Sequence, residues 1–238
     1  MKRSRVAELE YPRLGASSAR SARPRPEAAV LDSLGWDARL RAAYEQHDRP
    51  DRWPARVSRV DRGVCTLLGA DAVRRASVAG RMLAAAARDL SHLPCPGDWV
   101  VVQTWPDLRW TVEAVLPRRG TVWCAARPGP SASNVDMVME VNHRVDAETG
   151  LVDALRALLA PGRTLGLIGA DVKGRAHLVA ALAGATVLLP AGGALVPLPG
   201  GGAVIHAPGD RFAIDLGDTG STSALRPSLK STTSANGR

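Results

Sequence analysis

The sequence lacks three features that are each typical of a particular class of protein. No apolar run approaches the roughly 18 residues that a membrane-spanning helix needs. The basic N-terminus is not followed by the apolar segment of a secretory signal. The cysteines, Cys65, Cys95 and Cys124, are far apart, odd in number and without a metal-binding spacing. We therefore expect a cytoplasmic protein in a reducing compartment, with no membrane partner and no bound metal.

The chain does contain enough apolar side chain for a core, and a basic excess that is confined to its first half. Hydrophobic residues make up 45% of the 238 residues, which suffices for one large domain or two small ones. Of the net charge of +8, residues 129–238 contribute nothing, whereas residues 53–128 carry 11 basic against 6 acidic side chains. A basic region is the electrostatic footprint of a nucleic-acid binder. An Arg-rich solvated surface explains the same count, so charge alone leaves both interpretations open.

Composition changes along the chain and predicts where folded segments begin and end. Residues 1–30 are polar and basic, which predicts a disordered tail, and residues 217–238 predict a second disordered tail. Residues 31–52 predict a helical lead-in, capped by Asp32 or Ser33.

Residues 53–128 contain short alternating runs separated by turn residues. Five such runs, ARVSRV, GVCTLLG, RRASVAG, GDWVVVQTW and WTVEAVLP, within about 70 residues predict a five-stranded barrel of the oligonucleotide-binding (OB-like) type. Its basic and aromatic side chains are candidates for phosphate contacts and base stacking. Packing at the barrel rim is the commoner role of such tryptophans, and a solvated turn is an equal alternative for the paired arginines. The candidates for RNA binding are Arg56, Arg59, Trp105, Trp110, Arg118 and Arg119.

Residues 132–216 have the pattern of a small α/β domain. NVDMVMEV predicts a strand, TLGLI (164–168) a second strand and 175–183 a helix, while ATVLLP and the segment after it predict further strands. TGLVDALRALLAPG predicts an amphipathic helix that ends before Pro161-Gly162. The leucines expected on its buried face are Leu151, Leu155, Leu158 and Leu159.

GADVKGRA (169–176) lies between a predicted strand and a predicted helix, which is the context of a phosphate-binding loop. Its glycines have the G-x-x-x-x-G spacing, but Arg175 and Ala176 replace the Lys and the Ser or Thr of such a loop. Ala176 has no oxygen for Mg²⁺, and Asp171 places a negative charge where phosphate would lie. On this motif alone an ordinary strand–turn–helix corner is the stronger interpretation. The candidate nucleotide-binding residues are Gly169, Ala170, Asp171, Val172, Lys173, Gly174, Arg175 and Ala176.

LPGGGAVIHAPG (198–209) is similar to the magnesium-side D-x-P-G segment of a GTPase. His206 occupies the position of the Asp, and Gly209 is the closing glycine. A histidine is a poor partner for Mg²⁺, which prefers oxygen ligands. A strand-end histidine without a role is the simpler alternative.

Several pieces in one order resemble the ribosome-small-subunit-dependent GTPase A family. They are LGW, ARVSRV, VAGRM, LPCPGDWVVV, VLPRRG, SNVDMV, TGLVDALRALLAPGRTLGLIG and LVPLPGGGAVIHAPGDR, and they span about residues 31–215. The resemblance implies an N-terminal barrel, a circularly permuted P-loop GTPase domain and a C-terminal zinc module. It also implies a role in late maturation of the small ribosomal subunit.

The chain departs from that family at each working part of the nucleotide site. Besides the changes at Arg175, Ala176 and His206, the guanine-reading Asn-Lys-x-Asp segment is missing, because NHRVD (142–146) follows in the wrong register. The threonine-rich switch has no counterpart, since only Thr186 lies in the corresponding stretch. No cysteine follows Cys124, so the zinc module is also missing.

These departures imply a degenerate and shortened member of the family. We expect a factor that binds the small ribosomal subunit and its 16S rRNA through the basic barrel, with GTP hydrolysis lost or weak. GTP or GDP is then at most a weak ligand, and neither Mg²⁺ nor zinc is expected. The alternatives are a functional atypical GTPase in the same maturation process and a decayed relative without a ribosomal role. We also expect the reduced P-loop domain to depend on the barrel for stability.

Overall fold

The computed structural model describes residues 28–124, 129–142, 149–185, 187, 189–190, 192–207, 212–215 and 224–225. The fold class is the predicted one, a closed five-stranded β-barrel followed by a smaller α/β unit. The expected basic tail up to residue 27, most of the expected tail from 217, and the candidates Thr186 and Gly209 lie outside the described residues. In the described part of the chain, no helix is long and apolar enough to cross a membrane.

The helical lead-in consists of two short helices, α1 (Ala28–Ser33) and α2 (Ala38–Glu45). Asp37 caps α2, because its side chain accepts a hydrogen bond of 2.8 Å from the backbone N–H of Leu40. Capping by Asp32 or Ser33 is therefore wrong. The chain turns between the helices at Gly35, whose positive φ of 92° favours glycine and ends α1.

Five strands close into the predicted barrel, and each predicted run forms one of them. The barrel order is β1-β2-β3-β5-β4, with β1 also paired to β4, and only β3 and β5 run parallel. Alternate side chains, among them Val57, Leu67 and Val112, fill the interior. The helix α3 (Gly80–Ala86) and a 3₁₀ turn at Leu90–His92 connect β3 to β4. The strands are β1 (Arg52–Asp61), β2 (Val64–Leu68), β3 (Val73–Val78), β4 (Trp99–Thr104) and β5 (Trp110–Val115).

The second half of the described chain builds two further sheets. Two helices, α4 (Thr149–Leu158) and α5 (Val172–Ala183), accompany them. The strands are β6 (Thr121–Cys124), β7 (Pro130–Ser133), β8 (Met137–Glu140), β9 (Thr164–Ile168), β10 (Ala194–Pro197), β11 (Ala203–His206), β12 (Phe212–Asp215) and β13 (Ala224–Leu225).

The larger of these sheets has the order β10-β11-β9-β8-β13. Its strands β11, β9, β8 and β13 are parallel, and β10 is antiparallel to β11. On its α4 side the core contains Leu155 and Leu159, as predicted, and Leu151 is partly buried against it. Val152, which the prediction did not include, is also buried there. Leu158 was predicted to be buried but is 49% exposed. It lies roughly 100° of helix rotation from Leu159 and therefore faces away from the core.

The smaller sheet corrects the predicted end of the barrel. Thr121–Cys124 falls in the segment 53–128 but pairs with β7 and β12 in a three-stranded sheet. The barrel has no free edge for this strand, because the pairing of β1 with β4 closes it. The three cysteines are buried free thiols.

Two expectations for the α/β segment also need correction. ATVLLP forms no strand at its described positions, where Val187 and Leu189 pack against the core from a loop, since β10 takes the sheet edge beside β11. In the expected C-terminal tail, Ala224–Leu225 pairs in parallel with β8. A strand of two residues is too short to show an alternating hydrophobic pattern in the sequence. It forms because it can pair with the edge of β8.

Candidate phosphate-type loop and barrel surface

The predicted strand–loop–helix arrangement is present, with β9 ending at Ile168 and α5 beginning at Val172. The helix therefore starts three residues earlier than predicted. Gly169 makes the turn at a positive φ of 109°, and a Cβ atom there would lie 2.5 Å from the carbonyl oxygen of Val141. A side chain at this position is excluded, so glycine serves the close approach of two backbone segments.

Asp171 is the N-cap of α5 and closes the position where a phosphate would bind. One carboxylate oxygen, Oδ1, accepts a hydrogen bond of 2.9 Å from the backbone N–H of Gly174. The other, Oδ2, would lie 2.6 Å from a Cβ atom on Gly174. The N-terminus of a helix attracts anions through its free N–H groups and its dipole. Here the chain's own carboxylate occupies that place.

Other N–H groups of the segment also have acceptors within the protein. Ala170 donates to Oδ1 of Asn142 at 3.3 Å, and Asp171 donates to the carbonyl of Val141 at 3.0 Å. Val172 donates to the carbonyl of Ala170 at 3.0 Å. A phosphate cradle needs N–H groups that point at the ligand, and these three are already used. The sequence predicts no role for Asn142, because NHRVD follows in the wrong register for a guanine-reading motif.

Arg175 lies in the first turn of α5 with its side chain directed into the protein. The residue is only 1% exposed, and its Nε and Nη1 atoms have no hydrogen-bond partner among the described residues. Burial lowers the pKa of Arg175, and the charge of Asp171 acts in the opposite direction. In the same helical turn Lys173 is exposed, and Ala176, which follows Arg175, is half-buried.

His206 ends β11, is 3% exposed, and neither ring nitrogen has a partner among the described residues. Burial, and then the positive charge of Arg175, lower the pKa of His206 to about 4. The imidazole is therefore neutral at pH 7 and offers no oxygen ligand for Mg²⁺. The described residues contain no group of three or more His, Cys, Asp or Glu side chains that could hold a metal.

Arg56, predicted as an RNA contact, is buried between the barrel and the α/β unit. Its guanidinium donates hydrogen bonds to the carbonyls of Leu34, Gly97 and Asn134 and to Oγ1 of Thr164. The bond to Thr164 measures 2.9 Å, and the bond to Asn134 measures 3.1 Å. This prediction is wrong, because Arg56 faces out of the barrel into the surface that the α/β unit covers.

Arg118 is also held inside the fold. Its Nε and Nη2 atoms each lie 2.8 Å from a carboxylate oxygen of the fully buried Asp98, and Nη2 donates to the carbonyl of Leu93 as well. Asp98 in turn accepts from the N–H of Cys95 at 2.8 Å and from the hydroxyl of Ser133. Removing Arg118 would leave a buried carboxylate without its counter-charge, so its position is structural.

Arg59 and Arg119 keep part of their side chains in solvent but are paired. Arg59 lies 2.5 Å from Asp61, and Arg119 lies 2.7 Å from Asp136 and 3.6 Å from Asp37. The positive charge of each of these two arginines is therefore offset by a neighbouring carboxylate of the same protein.

The two candidate tryptophans have different environments. Trp105 is 44% exposed, and its Nε1–H donates to Oγ1 of Thr111 at 2.9 Å, which fixes the ring. Trp110 is half-buried beneath Arg74, whose guanidinium carbon lies 4.8 Å from the Trp110 ring and 5.9 Å from that of Trp53. Arg74 and Trp53 are not evident from the sequence, because only the barrel pairing brings them together.

No family model matches the chain. Three curated proteins, each described as "Small ribosomal subunit biogenesis GTPase RsgA", are 33% identical to it. The match covers 123 residues for Syntrophotalea carbinolica, 119 for Streptomyces coelicolor and 134 for Streptomyces avermitilis. These cover 47%, 50% and 54% of this chain but only 33%, 31% and 35% of the relatives, so the matched part spans about a third of their length.

Two solved structures are also similar. "Crystal structure of YjeQ from Thermotoga maritima" has a TM-score of 0.47 and 16% identity, and covers 66% of this chain and 75% of that one. "The crystal structure of YloQ, a circularly permuted GTPase" has a TM-score of 0.43 and 15% identity, and covers 74% and 76%. The curated matches confirm the predicted resemblance to the ribosome-small-subunit-dependent GTPase A family over about half of this chain.

Proposed function

We propose that this protein is a cytoplasmic factor that associates with the small ribosomal subunit by binding its rRNA through the barrel, with GTP hydrolysis lost or weak. The binding part is supported by exposed cations on the barrel, and the loss of hydrolysis by the carboxylate of Asp171 on the N–H of Gly174.

The barrel presents cations that are exposed and free of carboxylate partners in the described part of the chain. They replace Arg56 and Arg118 as candidates for phosphate contacts. A cation that is buried or paired with a carboxylate inside the protein is not available to bind an RNA phosphate. Arg75 lies two residues from Ser77 on the outer face of β3, and Ser77 pairs with Thr111, which holds the indole of Trp105. A cation and an exposed ring thus share one face. Within residues 53–124 the exposed arginines without a carboxylate partner are Arg62, Arg75 and Arg88.

The arrangement around α5 opposes phosphoryl transfer. That reaction depends on Mg²⁺ and on positioned positive charge around the phosphates. A phosphate 4 Å from the Asp171 carboxylate would be repelled by about 4 kcal/mol at an effective dielectric constant of 20. Binding would therefore require Asp171 to release Gly174 and turn away. Ala176 and the neutral His206 would still leave Mg²⁺ without ligands.

A salt titration of the purified full chain against 16S rRNA tests the binding part. A variant with Arg62→Ala, Arg75→Ala and Arg88→Ala should bind at least tenfold more weakly near 100 mM salt. The slope of log K against log salt should fall by about 2 to 3, since each lost phosphate contact removes about 0.7 to 0.9. Arg41→Ala removes an exposed arginine outside the barrel and is the matched control. Equal affinity of the triple variant, or no salt dependence, would contradict the proposal.

A functional atypical GTPase is the second candidate. It is favoured by the retained Gly169–Gly174 spacing between β9 and α5 and by the names of the curated relatives. Titration with a fluorescent GTP analogue and Mg²⁺ separates the two. Micromolar affinity would favour the GTPase, whereas no binding up to about 1 mM, equivalent to about −4 kcal/mol, would favour the first proposal.

A further inference from the structure

We propose that a segment of this chain outside the described residues, VAELEY (6–11), binds in a groove on the barrel of the same molecule. The groove lies between α3, the 3₁₀ turn at Leu90–His92 and β5, and we call it the α3 groove. None of the three unpaired barrel arginines lines it, so this binding is independent of the proposed RNA contacts. The bound segment would hold the basic residues 2–5 against the barrel.

The floor of the α3 groove is apolar. Met82 and Ala85 of α3 form one side of the floor, and Ala114 and Val115 of β5 form the other. The groove has a volume of about 530 Å³, which accommodates several side chains. Ala85, Ala114 and Val115 are only half-buried, so an apolar side chain placed on them would remove more of their surface from water. The floor therefore favours an occupant with an apolar side chain.

The rim of the α3 groove carries arginines whose counter-charges lie deeper in the protein. The side chain of Arg81 is 60% exposed, whereas that of Glu113, 2.8 Å from its Nη2, is only 11% exposed. Nη2 also donates to the carbonyl of Glu113, and Nε and Nη1 have no acceptor among the described residues. Arg118 closes one end of the groove and is paired at 2.8 Å with the fully buried Asp98. The groove therefore presents a guanidinium with free donors, which is suited to a carboxylate.

His92 adds a further donor at the 3₁₀ turn. Its side chain is exposed, and Nε2 lies 3.9 Å from Oδ2 of Asp89, which is beyond hydrogen-bond distance. The other oxygen of Asp89, Oδ1, accepts a hydrogen bond of 2.9 Å from the N–H of Ser91. An imidazole donates from at least one nitrogen in either protonation state. His92 can therefore donate to a second carboxylate of the occupant.

An apolar floor beneath a cationic rim selects a peptide in which an apolar side chain lies between carboxylates. One stretch of residues 1–27 has this pattern, since Leu9 lies between Glu8 and Glu10, and the other acidic residue there is Glu27. Successive side chains of an extended chain point to opposite sides, so Leu9 can face the floor while Glu8 and Glu10 face the rim. A nucleic-acid backbone would meet the cations but leave the apolar floor uncovered.

The length of chain before the described residues allows this contact. The described chain begins at Ala28, and the 18 residues from Glu10 to it span about 60 Å when extended. A folded unit of this size has a diameter of about 40 Å. The helical lead-in also passes beside the groove, because Arg39 of α2 donates to the carbonyl of Pro117, next to Arg118, at 3.0 Å. A tether of this length keeps the segment at a high local concentration, so a weak contact suffices.

Zero-length crosslinking of the full chain tests the contact. Arg81→Lys places an amine at the rim, and a carbodiimide joins an amine to a carboxylate in direct contact with it. The lysines of the chain are Lys2, Lys173 and Lys230, so new crosslinks can be assigned by peptide mass spectrometry. Position 81 should crosslink to Glu113, which reports a correctly folded rim, and also to Glu8 or Glu10. Arg62→Lys, an exposed position on the turn after β1, is the matched control and should reach neither Glu8 nor Glu10.

Three results of this experiment would overturn the proposal. The first is a crosslink from position 81 to Glu113 without one to Glu8 or Glu10. The second is equal crosslinking to Glu8 or Glu10 from position 62, which would mean unspecific contact. The third is a crosslinked product of twice the mass of the chain, because the segment of a second copy would then occupy the groove.

Proteolysis of the full chain is a second measurement that does not need Arg81 to be changed. A glutamyl endopeptidase should cut the wild type more slowly after Glu10 than after Glu27. Ala85→Glu places a carboxylate on the floor of the groove and should speed cleavage after Glu10 by about tenfold, because the segment is released. Ala84→Glu, at the neighbouring exposed position of α3, is the matched control and should be cut as the wild type is. Equal cleavage after Glu10 in the two variants would also overturn the proposal.

Discussion

Arg56, on the first strand of the barrel, donates a hydrogen bond of 2.9 Å to the hydroxyl of Thr164, the first residue of β9. The same guanidinium reaches the turn after α1 through Leu34 and the segment before β8 through Asn134. Beside it, Ser58 donates to the carbonyl of Leu195 in β10 at 2.8 Å. Arg56 therefore joins the barrel to β9, the strand that precedes the phosphate-type loop, and Ser58 joins it to β10.

Replacing Arg56 by Ala should lower the free energy of unfolding by about 3 kcal/mol or more, because it leaves several buried acceptors without a donor. Urea unfolding followed by tryptophan fluorescence and by circular dichroism measures this loss. The wild type should show coincident transitions, since both units share this contact. Arg59→Ala, on the same strand and half-exposed, should cost no more than about 1 kcal/mol. Equal effects of the two variants would contradict the assigned role of Arg56.

Asp171→Ala should have two opposite effects. Loss of the N-cap should destabilise the protein by about 1 kcal/mol, whereas affinity for a fluorescent GTP analogue should rise severalfold because the competing carboxylate is gone. Asp171→Asn keeps a capping oxygen without the charge, so it should raise affinity without the loss of stability. Asp153→Ala, an exposed carboxylate on α4, is the control for net charge. If neither variant at position 171 binds better than wild type, Asp171 does not block the site.

The barrel could be predicted because its signal is local. Each strand is a short alternating run between turn residues, and the structure uses all five. Whether each barrel arginine is buried or exposed could not be predicted from this local pattern. Arg56 points out of the barrel, and only the packing of a distant segment buries it. A bulge between Val57 and Arg59 also shifts the alternation of β1, so the sequence period misleads there.

The position of the candidate loop could be predicted from the sequence. The hydrogen bond of Asp171 that caps the helix, and the burial of Arg175 and His206, could not. In the sequence Asp171 reads as a misplaced charge, although Asp is also a typical N-cap residue at the start of a helix. The orphaned nitrogens of Arg175 and His206 could not be inferred, because burial depends on how α5 packs against β11.

The pKa of His206 predicts how stability depends on pH. A histidine in the unfolded chain titrates near 6.5, whereas burial and Arg175 lower the folded value to about 4. The unfolded state binds more protons between these values, so this stability is present above pH 6.5 and is lost as the pH falls to about 4. Over this pH range the free energy of unfolding should fall by about 3 kcal/mol through His206 alone.

Urea unfolding between pH 7 and pH 4, in buffers without phosphate or sulfate, measures that loss as a difference between variants. His206→Leu should lose less stability than wild type over this range, because it has no proton to bind. Carboxylates titrate alike in both proteins and cancel. His177→Gln, which removes an exposed histidine on α5, should follow the wild-type curve. Parallel curves for His206→Leu and wild type would show that His206 is not held neutral by the fold.

Restoring the loop side chains alone should not restore hydrolysis. In the double variant Arg175→Lys/Ala176→Ser, phosphate release from GTP should stay at the background of the wild-type protein. The carboxylate of Asp171 would still lie on the N–H of Gly174, and His206 would still provide no oxygen for Mg²⁺. Adding Asp171→Asn should improve nucleotide binding first, and any turnover should require His206→Asp as well. Robust hydrolysis by the double variant would contradict this expectation. It would mean that the rest of the GTPase site is intact and that the changes at positions 175 and 176 alone cause the loss of activity.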